Sequence, residues 1–184
     1  MPIFALTGAS GAGKSTIIAE LKRRGFNTQQ EIGRELVREQ LAQNGKTLPW
    51  LDMAAFRELL FHRSLALFDQ LYNDNGVCFF DRSFIDAIAS FRVTNEAVPQ
   101  QYLAAAKARQ FANPILICTP WSEIYQQDAE RKHKFEYALK DHQANIETYQ
   151  DFGYNFLKIP QLPVKKRVDF ILSNQMIKQA LADT

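Results

Sequence analysis

The residues in this sequence whose types and spacing could do chemistry begin with Gly8-Ala9-Ser10-Gly11-Ala12-Gly13-Lys14-Ser15, which fills every fixed position of the pattern G-x-x-x-x-G-K-[ST]. The chemistry of that pattern is anion binding. Glycines at 8, 11 and 13 let the backbone take positive φ, so the N–H groups of the loop from Gly8 through Ser10, Ala12 and Gly13 turn inward as a nest. The helix that follows adds the positive end of its dipole. Lys14 is then expected to reach the β and γ phosphates of ATP, and the Ser15 hydroxyl to ligand a magnesium ion held by those phosphates. Thr16, one residue on, faces the α or β phosphate.

A second group of candidates follows the apolar run Val77-Cys78-Phe79-Phe80, which ends in Asp81-Arg82-Ser83. A carboxylate closing an apolar strand stands at the Walker B position, where it holds the magnesium shell. Arg82 then aims a cation at an acceptor or a transferring phosphate, and Ser83 can cap the next helix. Glu31 and Arg34 lie one helical turn apart and could touch an acceptor hydroxyl or its phosphate; with Glu35 and Arg38 they could equally form a solvated ion-pair face. Arg131, beside Lys132 and Lys134, lies where a phosphoryl-transfer enzyme can carry a lid over 122–134, although a charged exposed helix has the same pattern.

These side chains need a scaffold. The apolar run Ile3 to Leu6 reads as a strand feeding the loop, and Ile17, Ile18 and Leu21 stripe a helix over 14–24 stopped by Gly25. A polar strand is expected at 26–30, a helix at 31–43, and a long helix at 52–72 that is apolar nearly all round and so buried between neighbours. Further strands are expected at 77–80, 115–118 and 154–159, with helices at 84–91, 99–111 and 135–153 and one final helix from Val164 onward. Strands alternating with helices predict a parallel α/β sheet covered on both faces. In such a sheet the site gathers at the carboxyl ends of the strands, which is where the four groups of candidates fall.

Bulk properties narrow the function classes. A chain of 184 residues with 46% hydrophobic content and 14 Phe fits one domain with a substantial core and excludes disorder. A formal charge of +2, with only the short Lys165-Lys166-Arg167 group as a basic block, implies no nucleic-acid partner. Cys78 and Cys118 each lie in an apolar run and read as small buried hydrophobes in a reducing compartment. No apolar run approaches membrane-spanning length, and no targeting segment fits before the first strand, so a cytoplasmic location is expected. Asp151-Phe152-Gly153 copies a protein-kinase tripeptide without its His-Arg-Asp partner, and the three histidines have no metal-ligand spacing. Trp50 and Trp121 adjoin prolines at loop edges as packing wedges, Trp121 near enough to the site to stack on a base.

Several stretches carry a family resemblance. The segment from Phe4 to Thr16, Glu31-Ile32-Gly33-Arg34-Glu35-Leu36, Phe79-Phe80-Asp81-Arg82, Pro120-Trp121, Asp128-Ala129-Glu130-Arg131 and the ending Arg167-Val168-Asp169-Phe170 resemble the NadR-type AAA domain family of predicted ATPases. The resemblance implies a P-loop NTPase fold of the kinase kind, a three-layer sandwich with strand order 2-3-1-4-5. Nicotinamide riboside kinase domains are similar around Glu31 to Arg34, and nucleoside kinases around Asp81 to Ser83. By that analogy Asp81 or Glu31 prepares an acceptor hydroxyl, while Arg82 and Arg131 neutralise phosphate charge. Another branch is described as binding GTP and phosphoinositides, so phosphoinositide binding enters by analogy alone. An Asp-Glu Walker B pair, the D-x-x-G sequence and an N-K-x-D guanine reader are missing, which argues against a hexameric motor or a GTPase. The leading expectation is a magnesium- and ATP-dependent kinase for a small-molecule hydroxyl, with a nucleoside-like molecule as one candidate acceptor. The alternative is a nucleotide-dependent switch or slow ATPase without such an acceptor.

Overall fold

The computed structural model of the chain describes residues 1–74, 76–124 and 135–183. Its strands are β1 (Ile3–Gly8), β2 (Asn27–Gln29), β3 (Cys78–Asp81), β4 (Ile115–Cys118) and β5 (Phe156–Ile159). They form one parallel sheet in the order β2-β3-β1-β4-β5, as expected. The helices among the described residues are α1 (Lys14–Arg23), α2 (Ile32–Ala42), α3 (Met53–Tyr72), α4 (Phe84–Val93), α5 (Gln100–Lys107), α6 (Phe135–Asp151), α7 (Val164–Ser173) and α8 (Gln175–Ala182). None of them is long and apolar enough to cross a membrane.

Every residue of β1 is buried, because helices cover both faces of the sheet. The strand's two-residue period sends Ile3 and Ala5 to one side and Phe4 and Leu6 to the other. On the first side they meet Cys78, Phe80 and Ile115 under an aromatic layer, where Phe61 stacks on Tyr102 at 3.9 Å between centroids. Phe68, Phe84 and Phe111 complete that layer. On the second side Phe4, Leu6 and Phe79 pack with Ile17 and Leu21 of α1 and with Val168 and Ile171 of α7.

Three expectations are revised. The helix expected over 99–111 ends at Lys107, because Phe111 must leave it to enter the aromatic layer and its N–H donates to the Tyr154 hydroxyl at 3.0 Å. The single final helix is two: Asn174 ends α7 in an extended conformation and its side chain accepts from the N–H groups of Met176 and Ile177, capping α8. Val77 precedes β3, whose last residue is Asp81 itself. The described part of 122–134 is a single 3-10 turn at Ser122–Ile124, and Arg131, Lys132 and Lys134 lie outside the described residues.

Candidate functional site

Sheet order brings the candidates together. In the β1–β3 register Leu6 faces Asp81, and the Arg82 N–H donates to the Leu6 carbonyl at 2.9 Å, so Asp81-Arg82 emerges beside the glycine-rich loop. On the other flank Gly8 pairs with Cys118 of β4, and a Cβ on Gly8 would overlap the Cys118 carbonyl; with φ at 114° only glycine fits. Ala9 donates to that same carbonyl at 3.1 Å, which fixes where the loop leaves the sheet. Gly11 and Gly13 also hold positive φ, as a nest requires.

Inside the loop Lys14 is buried and donates from Nζ to the carbonyls of Ala9, at 2.8 Å, and Gly8, at 3.2 Å. Burial, then the nearby Arg82 charge, hold its pKa below the ordinary lysine value. The Ser15 hydroxyl donates to Asp81 Oδ2 at 3.2 Å, while Asp81 Oδ1 is buried with no hydrogen-bond partner among the described residues. Burial first, and then the Glu31 charge, push the Asp81 carboxyl up to about 7, against the pull of Lys14, Arg82 and Ser15. The Thr16 hydroxyl donates to the Gly13 carbonyl at 2.7 Å on the exposed side of the loop.

Arg82 is the hub. Its backbone sits at φ 62°, a left-handed conformation that a non-glycine residue rarely adopts and that costs about 1–3 kcal/mol. That turn carries the guanidinium across the site to Asp141 Oδ2 at 2.9 Å, Asp86 Oδ1 at 3.2 Å and the Gly8 carbonyl at 3.2 Å. Glu31 Oε1 stands 3.4 Å from Arg82 Nε, and Glu31 Oε2 stands 3.3 Å from Arg34 Nε, so the sequence's candidate pair joins the hub. Behind it Ser83 and Asp86 form a capping box on α4, the Tyr149 hydroxyl donates to Asp86 Oδ2 at 2.8 Å, and Thr7 donates to Asp86 Oδ1 at 2.5 Å.

Two recesses open beside these groups. One, of about 390 Å³ and largely apolar, has Trp50, Met53, Phe56 and Leu60 on its walls, with Ser10, Glu31, Arg34, Asp81 and Arg82 at its polar end. The other, of about 430 Å³, is lined by Ser15, Ile18, Lys22, Glu31, Arg34 and Asp81. Asp81, Glu31 and Arg34 therefore form a wall common to both.

The sequence did not single out Asp86, Asp141 or Arg167. Asp86 was findable, since Ser83-x-x-Asp86 has capping-box spacing. Asp141 carries no local signal, because its partner Arg82 is 59 residues away. Arg167 reads in sequence as the end of a basic group, yet its guanidinium lies against the glycine-rich loop, donating to the Ala12 carbonyl at 3.3 Å and the Gly13 carbonyl at 3.4 Å.

A family model described as an AAA domain matches residues 3–167. No curated protein sequence matches the chain. Among solved structures, the chain is similar to deoxyadenosine kinase from M. mycoides with bound dATP, at 18% identity over 94% of this chain and 97% of that one, with a TM-score of 0.60. It is similar to thymidylate kinase from Candida albicans at 17% identity over 97% and 91% of the two chains, with a TM-score of 0.69. It is similar to NadR protein in complex with NAD and AMP-PNP at 15% identity and a TM-score of 0.67, over 93% of this chain but 48% of that one. At these identities the likeness shows the fold, that of the P-loop kinases.

Proposed function

The chain belongs to the AAA domain family, and on that footing we propose that it is a magnesium-dependent kinase transferring the γ-phosphoryl group of ATP to a hydroxyl of a small, nucleoside-like acceptor. The observation that carries this reading is the wall shared by the two recesses, since a donor on the loop and an acceptor in the apolar cavity meet across Asp81, Glu31 and Arg34. The similar folds of a deoxyadenosine kinase carrying dATP and of NadR carrying AMP-PNP support a nucleotide on this loop.

The residues divide the work as follows. The inward N–H groups of the loop and the Lys14 ammonium bind the phosphate chain, Lys14 exchanging the carbonyls of Gly8 and Ala9 for phosphate oxygens. Ser15 and Asp81 fit a magnesium ion, because the unpartnered, buried Asp81 Oδ1 and the adjoining Ser15 hydroxyl offer the hard oxygen ligands such an ion takes. When bound, that ion neutralises charge on the donor phosphates. Glu31 accepts the hydrogen bond, and then the proton, of the acceptor hydroxyl, and Arg34 fixes the Glu31 carboxylate. Arg82, kept charged by Asp141, Glu31 and Asp86 in spite of its burial, offsets charge on the transferred group, with Arg131 proposed as a lid cation.

Trp50 lines the acceptor cavity and gives a direct test. With Trp121 replaced by Phe, a nucleoside acceptor should change Trp50 fluorescence saturably; indifference to every nucleoside tried would contradict the assignment of the cavity.

A further inference from the structure

The buried Arg57 and the half-buried Arg82 are both paired with carboxylates, Arg57 with Glu96 and Arg82 with Asp141, Asp86 and Glu31. Arg167 of α7 is different. Its side chain is 6% exposed, and among the described residues it has no carboxylate partner. Its contacts are three long hydrogen bonds, to the carbonyls of Ala12 at 3.3 Å and Gly13 at 3.4 Å and to the Thr16 hydroxyl at 3.4 Å. Nε is buried and makes no hydrogen bond. A guanidinium has five N–H donors and does not give up its proton, so among the described residues this buried charge is uncompensated.

The surroundings show where an anion would compensate it. A Cβ on Gly13 would stand 2.7 Å from Nη1, so the guanidinium occupies the space that glycine leaves open at the start of α1. Its Cζ also lies over the Trp121 ring, 5.6 Å from the centroid. Thr16, its third contact, is on the exposed rim of the glycine-rich loop. Burial holds the Arg167 pKa below the ordinary arginine value, and among the described residues no carboxylate reverses that.

We propose that Arg167 is a ligand of the donor nucleotide's phosphate chain, contributed by α7 and reaching the phosphate nearest Thr16. The proposal rests on the reading of the loop as a nucleotide site. Binding exchanges weak contacts with the loop's own carbonyls for a charge-assisted, two-pronged contact with phosphate oxygens.

The experiment compares Arg167→Met with the unaltered protein, measuring MgATP affinity calorimetrically at several KCl concentrations and thermal stability without nucleotide. The expected result is affinity lower by about tenfold or more and a shallower salt dependence, because one cation has left the contact. Without nucleotide the Met protein should be as stable as the original or more so, since a buried unpaired charge has been removed. Unchanged MgATP affinity overturns the proposal, and so does weaker affinity with an unaltered salt dependence, which marks Arg167 as a positioning residue. Should the Met protein fail to fold, Arg167→Lys keeps the charge without the fork; it should lose affinity while retaining the salt dependence, and unchanged affinity again overturns the proposal. Lys14→Met separates the two claims: if it too leaves MgATP binding intact, the nucleotide reading of the loop fails; if it alone abolishes binding, only the Arg167 assignment fails.

Discussion

Lys14 donates from Nζ to the Ala9 carbonyl at 2.8 Å, so the lysine of the glycine-rich loop is folded back onto the loop's own main chain. The ammonium thus occupies, with Gly8 and Ala9, an internal substitute for phosphate. Replacing Lys14 by Met removes a charge that is buried and already disfavoured there, so the fold should survive. MgATP affinity should fall by about tenfold or more, the worth of a charge-assisted hydrogen bond, as read by calorimetry. Retained affinity in a folded Lys14→Met protein would show that the nucleotide does not bind at this loop.

Asp81 makes the stability of the ligand-free protein depend on pH. Its folded-state pKa of about 7 lies above the ordinary carboxylate value, so the folded state keeps a proton that the unfolded chain gives up. Stability from this group is therefore full below the unfolded pKa and is lost as pH rises through about 7. Asp81→Asn should flatten that part of the profile and raise the thermal midpoint at pH 8 relative to the unaltered protein, with little difference at low pH. Parallel profiles for the two proteins would show that the Asp81 pKa is not raised by folding.

The hub around Arg82 should be costly to open. Arg82→Met leaves Asp86 and Asp141 facing each other without their shared cation, a loss of about 3–5 kcal/mol for a buried pair broken on one side. Tyr149→Phe removes one buried donor to Asp86 and should cost about 1.5–3 kcal/mol, the range for a hydrogen bond to a charged group. Urea unfolding of both proteins measures this, and a Tyr149→Phe loss as large as that of Arg82→Met would place the hub at Asp86 instead.

The local parts of this architecture were legible in the sequence because their causes are local. The glycines of the loop, the apolar runs of β1, β3 and β4, and the stop at Gly25 each act within a few residues, and the sheet order followed once the family resemblance was seen. Asp81 was legible because a carboxylate at the end of an apolar run is conspicuous. Arg82 was named, but the reason for its backbone conformation was not, since Asp141 and Glu31 come from distant segments. Arg167 stood in the sequence only within a short basic group and the ending Arg167-Val168-Asp169-Phe170, because its contact with the glycine-rich loop depends on α7 packing against α1, 155 residues from the carbonyl it touches. The break at Asn174 was missed because apolar periodicity runs through it, while the cap that divides α7 from α8 is one side chain.

Transfer of the phosphoryl group to a small-molecule hydroxyl is tested by ADP production from MgATP across a panel of acceptors beginning with nucleosides and nicotinamide riboside. One acceptor class should raise the rate well above background, phosphorylated acceptor should appear in equal amount with ADP, and Asp81→Asn should abolish both. A uniform background rate with every acceptor, unaffected by Asp81→Asn, would contradict it.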